Sequence, residues 1–260
     1  MKAIVNSVLV QTNHLIEDGV VVFHGGKIID YGSSDSVELP DNCVIIDAQG
    51  SYVGPGLIDI HTHAGGSTWF YEDPVKAARE NLMHGTTSVL PTLYFNTPKE
   101  QLLDQIKLVK QSSTRGEGKI IKGLYMEAPY LNPKFGADRE NNPWNRPVDA
   151  NDYAPLIDAA GDFAKVWCVA PELENIEGFV KDVKAAIPNI VFSVAHSEAS
   201  PAQIERLMPY GLRLATHHTN ATGDLVKYPE VRGVCVDETV NYNDDIYAEL
   251  ICDRKGIHVD

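Results

Sequence analysis

From Leu57 onward the chain repeats one unit, an apolar strand followed by a loop and an amphipathic helix. That alternation restricts the fold to parallel strands joined by right-handed crossovers. After the strand that starts at Leu57, the apolar runs predict further strands over residues 86–93, 119–126, 164–170, 190–195, 212–216 and 247–251. Helices are predicted between them, with start and stop signals. Asp73-Pro74 opens one that ends at Gly85, and Thr97-Pro98-Lys99-Glu100 and Ser200-Pro201-Ala202-Gln203 read as capping boxes with proline at the first helical position. His84 suits a helix C-terminus. The expected architecture is α/β, a TIM-type (β/α) barrel that shows seven of the eight strands such a barrel needs. Residues 1–54 differ: short β-branched runs broken by Gly25-Gly26, Gly32 and Pro40 predict a small β domain, which leaves 55–260 as the barrel. Residues 128–147, rich in Pro, Asn and Gly, are too long for a simple connection and are expected to form a functional loop.

A chain of 260 residues with 43% hydrophobic and 22% charged side chains has the composition of a globular protein with a large core. Its formal net charge of −14 argues against nucleic acid or an anionic membrane as partner, though not against a small anion held in a local cationic pocket. Cys43, Cys168, Cys235 and Cys252 are far apart and form no Cys-x-x-Cys pair, which fits a reducing cytoplasm. The first residues are interrupted by Asn6 too early for a signal peptide, and no stretch is long enough to span a bilayer.

The chemistry is expected at the C-terminal ends of the barrel strands. His61 and His63 stand two apart at the end of the first strand, so both side chains leave the same face and can share one ion. Glu127 follows the third strand, His196 the fifth and His217 the sixth. Any one of these has an ordinary structural explanation, but five ligands at one rim point together to a divalent metal, Zn or Fe, with one or two ions. His218 falls on the opposite strand face, and His14 and His24 lack any partner pattern.

Several motifs recur in one order: residues 55–66, Gly85-Thr86-Thr87-Ser88, Glu127-Ala128-Pro129, Ala170-Pro171-Glu172, Ala195-His196-Ser197 and Ala215-Thr216-His217. In this combination the chain resembles the N-acetylglucosamine-6-phosphate deacetylase family of the amidohydrolase superfamily, over nearly its whole length. The resemblance implies metal-assisted hydrolysis of the N-acetyl group of an amino-sugar phosphate. Glu127, His196 and His217 would hold the principal ion, and His61 with His63 a second one, with Glu127 bridging. It also implies a homodimer. Asn220, Ala221 and His258 match positions that contact the sugar phosphate, Lys227 stands nearest to the arginine supplied by a neighbouring subunit, and Arg232 is a second candidate. Asp138 stands where the family usually carries a substrate-binding histidine, and Asp253-Arg254-Lys255-Gly256 interrupts the Asp-Gly pair expected before His258. The family's proton shuttle is an aspartate ending strand eight. It is not present here, and neither Asp59 nor Asp253 matches its position. Hydrolysis of another amide or cyclic amide, and non-catalytic metal binding, are the alternative expectations. Two unpaired edges of a seven-strand sheet are expected to be an aggregation liability.

Overall fold

The computed structural model describes residues 1–136, 138–223 and 233–251, and the chain divides into two compact units, Met1–Leu57 and Ile58–Asp260. In the first, β1 (Lys2–Val10) pairs antiparallel with β2 (Leu15–His24), and β2 pairs antiparallel with β3 (Lys27–Ser33). β4 (Val44–Asp47) and β5 (Tyr52–Val53) run parallel to β1. Ala3, Val20, Val22 and Val37 form its small core.

The second unit is the predicted alternation. Its elements are β6 (Leu57–Thr62), the short hairpin β7 (Ala64–Gly65) and β8 (Thr68–Trp69), α1 (Pro74–Met83), β9 (Thr86–Leu93), α2 (Lys99–Ser112) and β10 (Leu124–Met126). There follow α3 (Ala150–Ala160), β11 (Ala164–Val169), α4 (Ile176–Ala186), β12 (Val191–Val194), α5 (Pro201–Leu207), β13 (Leu212–Ala215), α6 (Val236–Tyr242) and β14 (Tyr247–Ala248). Seven strands form one sheet in the order β14-β13-β12-β11-β10-β9-β6, and every pair from β9 to β14 is parallel. Strand order therefore follows chain order, as in an open (β/α) barrel.

Alternation along each strand divides the core into two faces. Leu124, Met126, Trp167 and Val169 pack with the helices, where the Trp167 and Phe179 rings meet edge to face at 5.5 Å. Tyr125, Val166, Cys168 and Ala195 point the other way and form a second buried cluster beneath the rim. At one end of the order, β6 leaves Leu57 and Ile58 exposed by 63% and 73%.

Three local expectations are corrected. The apolar run 119–126 is strand only over its last three residues, because Gly116–Ile120 forms a 3-10 turn that buries Ile120 without strand pairing. The backbone at Gly118 passes so close to Ser112 that an added Cβ would lie 2.1 Å from its carbonyl oxygen. The Thr97 capping box does not form: Pro98 itself is the N-cap of α2, and the Thr97 carbonyl accepts from the Trp144 indole at 2.9 Å. The Ser200 box forms with Gln203, and Asp73 caps α1 through the Lys76 amide. The last strand ends at Ala248 rather than running on to 251.

Candidate metal centre

Every ligand predicted from strand ends stands at the same rim. His61 lies in β6 and His63 just beyond it, where the chain turns into the β7–β8 hairpin. That hairpin packs so tightly on α1 that a Cβ on Gly65 would lie 2.1 Å from the Ala77 carbonyl oxygen. Glu127 follows β10 directly, and His196 and His217 are the second residues after β12 and β13. Both of those histidines hold left-handed backbone, with φ of 43° and 32°. Such backbone costs about 1–3 kcal/mol in a non-glycine residue, and it clusters where geometry serves a site.

The side chains converge on Glu127, which is 2% exposed. Its Oε1 lies 3.2 Å from His196 Nε2 and 3.6 Å from His217 Nε2, while Oε2 lies 3.8 Å from His63 Nε2. The two imidazoles face each other with Nε2 atoms 3.1 Å apart. Two sets of three ligand atoms result, His61–His63–Glu127 and Glu127–His196–His217, each within 4.8 Å of one another and sharing Glu127.

The other ring nitrogens of His61, His63 and His217 are tied back into the protein, whereas His196 Nδ1 is buried without a partner among the described residues. His63 Nδ1 is 3.2 Å from the Thr92 carbonyl, His217 Nδ1 is 3.2 Å from the Asn220 carbonyl, and His61 Nδ1 is 3.0 Å from Glu249 Oε2. A carbonyl or carboxylate can only accept, so each Nδ1 carries the proton and the Nε2 lone pair is left for the rim. Glu127 Oε2 is buried and has no hydrogen-bond partner among the described residues. An orphaned carboxylate oxygen among imidazole nitrogens is what a divalent cation satisfies, so the residues fit a metal ion.

For Glu127 and His63 the electrostatics agree. Burial alone would raise the Glu127 pKa, but its close contacts with His196 and His217 and the charges of His196 and His63 hold it well below the usual carboxylate range. Burial pushes His63 down despite Glu127, which favours the neutral ligand form. Burial opposes the charge on His61 as well, yet the hydrogen bond to Glu249 and the negative charges of Glu127, Glu249 and Asp59 carry its pKa above the ordinary value.

The remaining predicted residues are placed as follows. Asn220 and Ala221 lie in the loop after β13, where the Asn220 amide donates to the His217 carbonyl and the Ala221 carbonyl accepts from Ser197. Asp138 is exposed and held by the side-chain amides of Asn96 and Asn141, at 2.8 and 2.7 Å. Lys227, Arg232, Asp253 and His258 lie outside the described residues. Asp59 accepts from the His61 amide, and burial leads the rise in its pKa. His218 stands apart from both ligand sets, 3.0 Å from Asn241 Oδ1.

Sequence reasoning gave no role to two carboxylates, although it quoted Glu172 within a motif. Glu172 accepts from the side chains of Asn132 and Ser197 and from the Glu198 amide, which ties together the loops after β10, β11 and β12. Glu249 directly follows β14, the position that identified Glu127 after β10. A strand predicted through residue 251 hid it inside the strand and put Asp253 at the end instead.

No family model matches the chain. It is 28% identical to N-acetylglucosamine-6-phosphate deacetylase of Bacillus subtilis, over 96% of this chain and 62% of the relative. It is 29% identical to the mouse protein of the same name, over 82% of this chain and 53% of the relative. The crystal structure of N-acetylglucosamine-6-phosphate deacetylase from Pasteurella multocida superposes with a TM-score of 0.81 at 29% identity, covering 100% of this chain and 66% of that one. The chain thus spans less than two thirds of the length of these relatives. By sequence and by fold, its relatives are the N-acetylglucosamine-6-phosphate deacetylases of the amidohydrolase superfamily.

Proposed function

We propose that this rim is the active centre of a metal-dependent deacetylase acting on an N-acetylated amino-sugar phosphate. The observation that carries the reading is the pair of ligand sets sharing the buried Glu127, on a chain whose relatives bear that name. The ions are Zn or Fe, one or two in number, with Glu127, His196 and His217 as the principal ligands and His61 with His63 as the second pair. A divalent ion bound there supplies Lewis acidity toward the acetyl carbonyl and lowers the pKa of a water molecule.

The chain's own residues prepare that chemistry. Glu127 stays ionised within the rim, and the hydrogen bonds at Nδ1 hold the imidazoles of His61, His63 and His217 in one tautomer. Asn220 and Ala221 belong to the loop assigned to the sugar phosphate, and Lys227 and His258 are assigned to the same substrate by the resemblance. The charge of Asp138 reaches Tyr94, whose pKa is raised first by burial and then by the charges of Glu127 and Asp138. No aspartate of this sequence stands at the family's proton-shuttle position, so none is given that role. A homodimer in the cytoplasm completes the reading. Free thiols at Cys43, Cys168 and Cys235 support a reducing compartment, and no described helix is long and apolar enough to cross a membrane.

The test is acetate release by the chain reconstituted with Zn²⁺ or Fe²⁺, offered N-acetylhexosamine 6-phosphates and a panel of cyclic ureides. Acetate from an N-acetylhexosamine phosphate is expected. Turnover of a ureide with none of the acetylated sugars would replace this reading with that of another amidohydrolase.

A further inference from the structure

We propose that Glu249 is a positioning residue, whose carboxylate locks the His61 ring so that Nε2 is presented to the ion shared with His63 and Glu127. The proposal deepens the metal-centre reading and rests on it. His61 belongs to β6 and Glu249 follows β14, the strands at opposite ends of the sheet order, yet the two side chains meet at 3.0 Å. The Glu249 side chain is 9% exposed and that of His61 14%. Both carboxylate oxygens are committed: Oε2 accepts from His61 Nδ1 and, at 3.4 Å, from the His217 amide, and Oε1 accepts from the Tyr125 hydroxyl at 2.8 Å.

Tyr125 is itself braced from below. Its hydroxyl lies 2.7 Å from Thr216 Oγ1, which lies 2.6 Å from Ser193 Oγ and 3.3 Å from Cys168 Sγ. Because Tyr125 gives its proton to Glu249, it must accept from Thr216, and Thr216 in turn accepts from Ser193. All four of these residues are 2% exposed or less, so the chain of donors has one direction and water does not compete for it. The Tyr125 ring also lies under His61, with centroids 4.5 Å apart. Glu249 thus receives donors from both sides, and a glutamine in its place, with one acceptor and one donor, could satisfy only one of them.

The test titrates metal-free chains with Co²⁺ alone, reading ions bound per chain, the dissociation constants and the visible spectrum, with thermal melting of the metal-free chains alongside. Wild type is expected to bind two ions. Glu249→Gln is expected to keep the ion at Glu127–His196–His217 and to weaken the other by about 10- to 100-fold, the usual effect of removing the partner of a ligating histidine. Tyr125→Phe should weaken the same ion less, and Glu249→Asp should restore part of the loss. A Glu249→Gln chain that binds both ions as wild type does, or loses both equally, overturns the positioning role while leaving the metal centre intact. A wild type that binds fewer than two ions instead removes the two-site reading, and the proposal with it. Should Glu249→Gln not fold, wild-type affinity for the second ion in Tyr125→Phe overturns the proposal.

Discussion

His196 Nε2 and His217 Nε2 face each other at 3.1 Å, both directed at Glu127 Oε1. With the His217 proton on Nδ1, His196 Nε2–H donates across this gap in the metal-free chain, and a cation bound there adds its binding free energy to the folded state. The metal-free chain should therefore be less stable than the loaded one. At 100 times its dissociation constant, one ion stabilises the fold by about 2.7 kcal/mol. For a chain of this size that raises the melting temperature by about 5 to 10 °C. Calorimetry with and without Zn²⁺, and again after a chelator, checks it, and superimposable melts would contradict it.

Glu172 is the shared acceptor for Asn132, Ser197 and the Glu198 amide. Ser197 adjoins His196, and the Asn132 amide donates to the His196 carbonyl at 3.1 Å. Glu172→Ala leaves Asn132 and Ser197, 5% and 0% exposed, without their acceptor. The expected cost is about 2–3 kcal/mol in urea unfolding of the metal-free chain, together with weaker metal binding. Glu172→Gln should lose less of both.

Tyr153 donates to Asp182 at 2.5 Å, joining α3 to α4, and its pKa is raised to about 12, first by burial and then by that hydrogen bond. A folded-state pKa above the unfolded value of 10.0 contributes stability that is complete below pH 10.0 and lost as the pH rises toward about 12. Tyr153→Phe should cost about 1 kcal/mol at pH 8. It should also flatten the stability profile between pH 10 and 12, measured by urea unfolding across that range. An alkaline limb unchanged by the substitution would refute the assignment.

The open sheet leaves Leu57, Ile58 and Ile60 of β6 exposed by 63%, 73% and 37%. Apolar side chains on an edge strand invite pairing with another chain. Light scattering of residues 1–260 should show association that grows with concentration, and Ile58→Lys should reduce it. A monodisperse monomer at all concentrations would contradict this.

The candidate ligand set was legible because two simple rules bring its residues to one rim. Alternation put His61 and His63 on one face, and the strand-end rule chose Glu127, His196 and His217. The same rule would have found Glu249 had the last strand been given its true end at Ala248. Its length could not be read because Leu250 and Ile251 continue the apolar pattern after strand pairing stops. Residues 119–123 misled in the same way: apolar character records burial, and Ile120 and Ile121 are buried without lying in a strand. The left-handed backbone of His196 and His217 leaves only a weak trace in residue type: histidine is enriched at positive φ, but only a few per cent of non-glycine residues adopt it.

Glu127 is common to both candidate ligand sets, so its removal should empty both. The measurement is the metal content of wild type and Glu127→Ala after dialysis against Zn²⁺, with circular dichroism to establish that both are folded. Wild type should retain bound ion, and Glu127→Ala should lose both ions, with affinity reduced by more than the roughly 10- to 100-fold that loss of an outer partner causes. A folded Glu127→Ala chain that retains as much zinc as wild type would contradict the account.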